Sequence, residues 1–148
     1  MTGIVFGIAG QIGSGKSTFA RSLAEALRCE MASFGSYVRS EANRRDYSDD
    51  RETLQDLGQD LLELAGAEDF CMAMLDNQTN TFAPGGSLVI DGVRHLKVAD
   101  ALEELVRPSL FVLVFMKVDD KVRAHRLASR GAQLEMADRH ATEQDVPQ

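Results

Sequence analysis

The stretch Gly10-Gln11-Ile12-Gly13-Ser14-Gly15-Lys16-Ser17 fits the pattern G-x-x-x-x-G-K-[ST] at every fixed position. Its glycines let the backbone curl so that successive N–H groups point inward at a phosphate. Residues 4–9 before it form a continuous apolar run, typical of a buried strand, and an amphipathic helix is predicted over 16–27 after it. A glycine-rich turn that binds nothing is the alternative, but this context favours a phosphate-binding loop.

This segment, the phosphate loop, is expected to hold the phosphates of a nucleotide. The helix that follows it adds the positive end of its dipole. Lys16 is expected to reach the β- and γ-phosphates, and Ser17 to ligate Mg²⁺. The full phosphate-binding set that we predict here is Gly10, Gly13, Ser14, Gly15, Lys16, Ser17 and Thr18.

Strands alternate with helices along the rest of the chain. Further strands are predicted over 31–34, 87–91 and 110–118, and helices over 36–45, 49–64, 68–80, 96–107 and 119–130. The 49–64 helix has Asp49 as its N-cap, Glu52 completing a capping box, and a stripe of Leu54, Leu57, Leu61 and Leu64. The alternation indicates an α/β fold with three layers, α/β/α, around a parallel sheet.

Four residues follow predicted strand ends, where ligands bind in such sheets: Gly10, Gly35, Asp91 and Asp119. We therefore expect the site at one edge of the sheet. A carboxylate at the position of Asp91 could bind the water ligands of Mg²⁺, or it could act as a base that orients the acceptor. The alternative is that Asp91 only caps the turn after the strand. Arg94 is predicted to bind a phosphate rather than to be a surface cation.

Composition and charge limit the classes of function. The chain has 148 residues, 44% of them hydrophobic, with a net charge of −7, and we expect one domain, 1–148. An acidic surface disfavours nucleic-acid partners. The chain opens without a basic leader region and has no apolar run that could span a bilayer, and its two cysteines have no metal-ligand spacing. We expect a cytoplasmic monomer or homodimer without a membrane or nucleic-acid partner.

Arginines supply the remaining candidates. Arg123, Arg126 and Arg130 share one face of the last predicted helix, where we expect a clamp on the transferring phosphate; a solvated basic stripe is the alternative. Arg39 and Arg51 are the predicted ligands of an acceptor phosphate, although each is individually typical of a surface position. The three histidines have no ligand spacing, which favours surface or supporting roles.

Several of these segments together resemble the P-loop nucleoside and nucleotide kinase superfamily. Val89-Ile90-Asp91-Gly92-Val93-Arg94 is similar to the DG-x-(P)-R segment of adenylate kinases, and Arg51 to Gly58 to the LQ-x-x-G helix of phage deoxynucleoside monophosphate kinases. The phosphate loop from Ile12 is similar to that of dephospho-CoA kinases, and 123–130 resembles the arginine-bearing lid. The resemblance extends from residue 4 to about residue 131.

The resemblance implies phosphoryl transfer from ATP, with Mg²⁺, to a phosphorylated acceptor near Arg39, Arg51 and Arg94. A (deoxy)nucleoside monophosphate or a dephospho-CoA-like molecule is the implied acceptor, and Arg126 and Arg130 belong to a lid that excludes water. A nucleotide-binding regulatory module or slow ATPase is the alternative. Residues 33–36 lack the acidic residue that many relatives carry, which argues against strict dephospho-CoA specificity. Such kinases usually continue past the lid into another strand and helix, so we expect either that the sequence is truncated there or that the sheet is one strand shorter.

Overall fold

Four parallel strands form one sheet in the order β2-β3-β1-β4 in the computed structural model, which describes residues 2–11, 14–117 and 125. They are β1 (Ile4–Gly10), β2 (Glu30–Ser33), β3 (Leu88–Asp91) and β4 (Leu110–Met116). β3 lies between the first two strands of the sequence, with Ile8 of β1 beside Asp91 and Ser33 of β2 on its other side. The carboxyl ends of β1, β2 and β3 therefore meet at one edge.

Within residues 14–117, five helices connect and cover the strands: α1 (Lys16–Leu27), α2 (Phe34–Arg44), α3 (Arg51–Ala65), α4 (Ala67–Gln78) and α5 (Leu96–Leu105). On one face of the sheet, Ile8 and Val89 pack against Ala20 of α1. On the other face, β1 and β3 residues pack in a larger core with α2, α3, α4 and α5. This arrangement confirms the predicted three-layer α/β/α fold with a parallel sheet.

The continuous apolar runs of β1 and β3 are explained by burial on both faces of the sheet. In β1, Val5 and Ile8 are both 0% exposed although their side chains join different cores, and all four residues of β3 are buried. Position 7, between Val5 and Ile8, is a glycine because a Cβ there would lie 2.8 Å from the ring of Phe111. Strands buried in this way read as unbroken hydrophobic segments rather than as alternating ones.

Two predicted details of α3 were wrong. Its N-cap is Asp50, not Asp49: the Asp50 carboxylate accepts the Thr53 amide at 2.8 Å and is itself held by the Ser48 hydroxyl. Leu64 is 87% exposed, whereas Leu57 is buried. Because a helix turns about 100° per residue, Leu64 lies within about 20° of Leu57 around the axis. Its exposure therefore reflects its position in the last turn of α3, which ends at Ala65.

The junction between β2 and α2 also differs from the prediction. The strand ends at Ser33, and the helix begins at Phe34 rather than at residue 36. Ser33 caps the helix, since its hydroxyl oxygen accepts the Ser36 amide at 3.2 Å. Of the predicted helix over 119–130, the structure describes residue 125, which is helical, whereas Asp119 lies outside the described residues. Among the residues that are described, no helix combines the length and the apolar character needed to cross a bilayer.

Candidate active site

A cleft of about 760 Å³ opens at the edge where β2 and β3 end. Lys16 and Ser17 of the phosphate loop line it, together with Asp91 at the end of β3. The three arginines predicted to hold an acceptor line the same cleft: Arg39, Arg51 and Arg94. The structure thus brings residues that are far apart in sequence into one site.

The phosphate loop leads from β1 directly into α1. Gly10 has φ 150°, and a Cβ on it would lie 2.7 Å from the Met116 carbonyl oxygen. Gly15 precedes α1 in the left-handed region, φ 86°, which glycine adopts without strain. The N-cap residue of α1, Gly15, has no side chain that could accept from the first turn of the helix, so the amides at this end, such as that of Ser17, can donate to an anion. Gly13 and Ile12 lie outside the described residues.

Ser17 and Asp91 are joined across the cleft. The Ser17 hydroxyl donates to Oδ2 of Asp91 at 2.8 Å, and Asp91 is 7% exposed. Two buried oxygen atoms near the loop, Oδ1 of Asp91 and Oγ of Ser14, have no hydrogen-bond partner within the described part of the chain. Buried polar atoms are rarely left without partners, so these oxygens point to a bound group.

The residues fit Mg²⁺ with a nucleotide phosphate. Hard divalent cations take oxygen ligands, and Mg²⁺ is usually held by one or two protein oxygens plus phosphates and water. Because the Ser17 hydroxyl directs its proton at Asp91, its lone pairs face away from the carboxylate and are available to a cation. Ser17 and Asp91 would therefore hold the ion, and Lys16 the phosphates.

The chain leaves β3 through a tight turn that aims the next segment at the cleft. Gly92 has φ 89°, and the amides of Gly92 and Val93 both donate to the Ile8 carbonyl at 3.1 Å. A non-glycine residue would be strained at this φ. Arg94 and His95 then line the cleft before α5 begins. Burial, with the positive charges of Lys97 and Arg94, lowers the pKa of His95.

The opposite wall comes from α2 and α3. Arg51, Gln55 and Gln59 recur every four residues on the face of α3 that lines the cleft. The floor is apolar and includes Phe34 and Phe70, whose rings stack with centroids 5.3 Å apart. This part of the cleft can accept a ligand with a flat or apolar body and polar edges.

Sequence reasoning did not assign several polar residues of the cleft to the site: Arg21, Ser33, Ser36, Asp49, Gln55, Asp56, Gln59 and His95. The spacing of Gln55 and Gln59 after Arg51 was a usable signal, because residues four apart share a helix face. His95 directly follows Arg94, and adjacency to a predicted ligand was the only hint. Arg44 and Arg45, which lie between Arg39 and Arg51 in the sequence, bind the Glu41 carboxylate instead.

Charge in the cleft opposes that of the whole chain. Its lining residues include five that are basic, Lys16, Arg21, Arg39, Arg51 and Arg94, and three that are acidic, Asp49, Asp56 and Asp91. The chain as a whole has a net charge of −7. Positive charge is thus concentrated where an anionic ligand would bind. Arg123, Arg126 and Arg130 lie outside the described residues.

Comparison with known proteins agrees with this geometry. A family model described as an AAA domain matches residues 7–146. A cytidylate kinase from Pyrobaculum arsenaticum is 32% identical over 146 residues, which cover 96% of this chain and 69% of that protein. The chain belongs to this AAA-domain family and is a P-loop kinase. The resemblance drawn from the sequence is confirmed at the level of the P-loop nucleotide kinase superfamily.

Solved structures support the fold of the kinase. A gluconokinase from Sinorhizobium meliloti superposes with a TM-score of 0.60 at 18% identity, covering 99% of the kinase and 77% of that chain. TT1252 from Thermus thermophilus superposes with a TM-score of 0.59 at 20% identity, covering 99% and 82%. The kinase spans about two thirds of the length of the curated relatives that it matches, 69% and 66% for two of them.

Proposed function

We propose that the kinase transfers the γ-phosphoryl group of ATP, bound with Mg²⁺, to a small phosphorylated acceptor. The observation that carries this proposal is the shared cleft, in which Lys16, Ser17 and Asp91 lie with three arginines on separate elements. A phosphate loop alone implies only that a triphosphate is held. The three arginines supply the positive charge and the hydrogen-bond donors that a second anionic ligand needs.

The roles of the residues follow from the charge that moves. An acceptor oxygen attacks the γ-phosphorus, the bond between this phosphorus and the β,γ-bridging oxygen breaks, and ADP leaves with that electron pair. Lys16 and the first amides of α1 stabilise negative charge on the phosphates. Bound Mg²⁺ would supply charge neutralisation between the β- and γ-phosphates. Arg126 and Arg130 are proposed to close over the transferring group, and Arg123 to contact the ATP phosphates.

A nucleoside monophosphate is the preferred acceptor class, and a dephospho-CoA-like molecule the second. The apolar floor with Phe34 and Phe70 suits a base, and the amides of Gln55 and Gln59 suit its polar edge. The relative from Pyrobaculum arsenaticum is named a cytidylate kinase, so CMP comes first among the acceptors to be tried.

The alternative is a regulatory nucleotide-binding module or slow ATPase. It is motivated by the segment 33–36, which has no acidic residue and whose Ser33 hydroxyl is engaged in capping α2. Against it, Asp49 and Asp56 place carboxylates in the cleft from the α3 side. These carboxylates can contact a sugar hydroxyl or a base in place of the missing residue.

A coupled assay of ADP release tests the proposal with CMP, other nucleoside monophosphates and dephospho-CoA as acceptors. We expect one acceptor to raise turnover well above that with ATP alone, and Lys16→Ala to lower it by about 100-fold or more. Arg94→Gln should raise the KM for the acceptor and leave that for ATP nearly unchanged. Hydrolysis that no acceptor alters would contradict the proposal and support the regulatory module. Lys97→Gln, an exposed cation outside the cleft, is the matched control.

A further inference from the structure

His95 occupies an unusual position between the turn at Gly92 and the start of α5. Its backbone is fixed, because its carbonyl accepts the amides of Val98 and Ala99 at 3.1 Å each. Its side chain is half-buried, lines the cleft beside Arg94, and does not cap the helix. No hydrogen bond to the imidazole is found among the described residues. A half-buried imidazole that lines a ligand cleft, and that makes no hydrogen bond with the described part of the chain, is suited to contact the ligand.

Cations surround this imidazole. Arg94 precedes it and Lys97 follows it, and both raise the cost of a positive charge on the ring. Across the cleft stand Arg39 on α2 and Arg51 on α3. Burial, with the charges of Lys97 and Arg94, lowers the pKa of His95 and so favours its neutral form while the cleft holds no anion.

Few groups oppose this positive charge. The carboxylates that line the cleft belong to Asp49 before α3, Asp56 on α3 and Asp91 at the end of β3. α4 packs against α5 and contributes Phe70, an uncharged residue, to the lining of the cleft. The neighbouring Cys71 thiol contacts the Val98 carbonyl instead. A phosphate beside Arg94 would therefore be the largest change in charge that His95 experiences.

We propose that His95 is an acceptor-binding residue, which donates a hydrogen bond to the acceptor's phosphate beside Arg94 and takes up a proton from solvent as that phosphate arrives. The inference rests on the proposed function in one respect, namely that the acceptor phosphate lies at Arg94. No covalent bond changes in this step. Acceptor binding then adds one proton to the protein, and by linkage acceptor affinity depends on pH.

The direction and size of this dependence follow from the charges. An opposite charge within about 4–6 Å shifts the pKa of a neighbouring group by roughly 1–3 units. The pKa of His95 is below its ordinary value in the free protein and rises when phosphate is bound. Acceptor affinity is therefore highest at low pH, falls through the interval between the two pKa values, and levels off above it. The total fall is at least about tenfold.

An NMR titration of the imidazole tests the first half of the inference. The signal of His95 is identified as the one of three histidine signals that His95→Gln removes. We expect saturating CMP or inorganic phosphate to raise the pKa of His95 by about one unit or more, and Arg94→Gln to abolish the change. A pKa that neither probe moves would overturn the inference, whether or not any acceptor is phosphorylated.

The pH dependence of the acceptor KM tests the second half. The acceptor's own phosphate titrates near pH 6 in every variant, so the comparison of variants isolates His95. The glutamine of His95→Gln keeps a hydrogen-bond donor but cannot take up a proton. Compared with wild type, the acceptor KM of this variant should therefore lack the part of its rise with pH that is due to His95, and its KM for ATP should be unchanged. Arg28→Gln, which removes an exposed cation outside the cleft, should keep the dependence. Equal profiles for wild type and His95→Gln would refute the role of His95 even with turnover intact. Thermal unfolding of each variant verifies folding.

Discussion

The substitution Asp91→Asn separates a structural from a functional role for the carboxylate that ends β3. In the folded protein, Oδ2 of Asp91 accepts the Ser17 hydroxyl at 2.8 Å, while Oδ1 is buried without a partner in the described part of the chain. A hydrogen bond to a charged group contributes about 1.5–3 kcal/mol and one to a neutral amide about 1 kcal/mol. The substitution therefore loses roughly 1 kcal/mol at the first oxygen.

The second oxygen offsets this loss. A buried polar atom without a partner costs about 1–3 kcal/mol, and a charged one costs more than a neutral one. Removing the charge of Asp91 relieves part of that cost, so the free energy of unfolding should stay within about 1 kcal/mol of wild type. For a chain of this length, that is a change in Tm of at most about 2–4 °C.

Activity should respond differently from stability. If Asp91 positions Ser17 and a cation at the phosphates, the amide should lower kcat by about 100- to 1000-fold, roughly 3–4 kcal/mol in the activation free energy. The measurements are thermal unfolding without ligand and ADP release with MgATP and CMP. Asp100→Asn, which removes an exposed negative charge on α5, is the matched control. A Tm that falls by more than about 8 °C with turnover unchanged would refute the reasoning and assign Asp91 a structural role.

Two further predictions concern residues outside the cleft. Glu30 accepts four hydrogen bonds from residues 80–82, at 2.7–2.9 Å, and these lower its pKa, the Asn80 amide first. The contribution of Glu30 to stability is present above its ordinary pKa near 4.5 and is lost as pH falls below that value. In thermal unfolding measured against pH, acid should therefore lower the Tm of wild type more steeply than that of Glu30→Gln. The control Glu103→Gln should match wild type. Burial raises the pKa of Cys71 to about 12, so a thiol reagent should modify this residue only after the protein unfolds. Peptide mapping of native and denatured samples measures this, and fast modification of the native protein would contradict it.

The elements of the fold were predictable because their signals are local. A buried strand, a glycine-rich turn and an amphipathic helix each leave a pattern within a few residues, and β1, α1 and β3 lie close to where the patterns place them. The errors lie at element ends. Asp49 and Asp50 are equally good caps by residue type, and the choice depends on how Ser48 and Thr53 bond to Asp50.

The shared cleft was predictable only in outline. The rule that ligands bind at the carboxyl ends of parallel strands placed Asp91 near the phosphate loop. The strand order, with β3 next to β1, brings Asp91 beside Ile8, and no local pattern encodes the pairing of segments about 80 residues apart. His95 was missed for a related reason. Its direction depends on the left-handed turn at Gly92, whose role in aiming the following residues appears only in three dimensions.

In the proposed function, the turn at Gly92 lets one short segment contact both substrates. The amides of Gly92 and Val93 bond to Ile8 of β1, so the chain after β3 is tied to the strand that carries the phosphate loop. Asp91 on one side of this turn contacts Ser17, and Arg94 on the other side lines the acceptor part of the cleft. A side chain at Gly92 would strain this turn and displace Arg94 relative to Asp91. Because an error of about 1 Å in the alignment of reacting groups costs about 100-fold in rate, a side chain at position 92 should lower the rate of the proposed transfer.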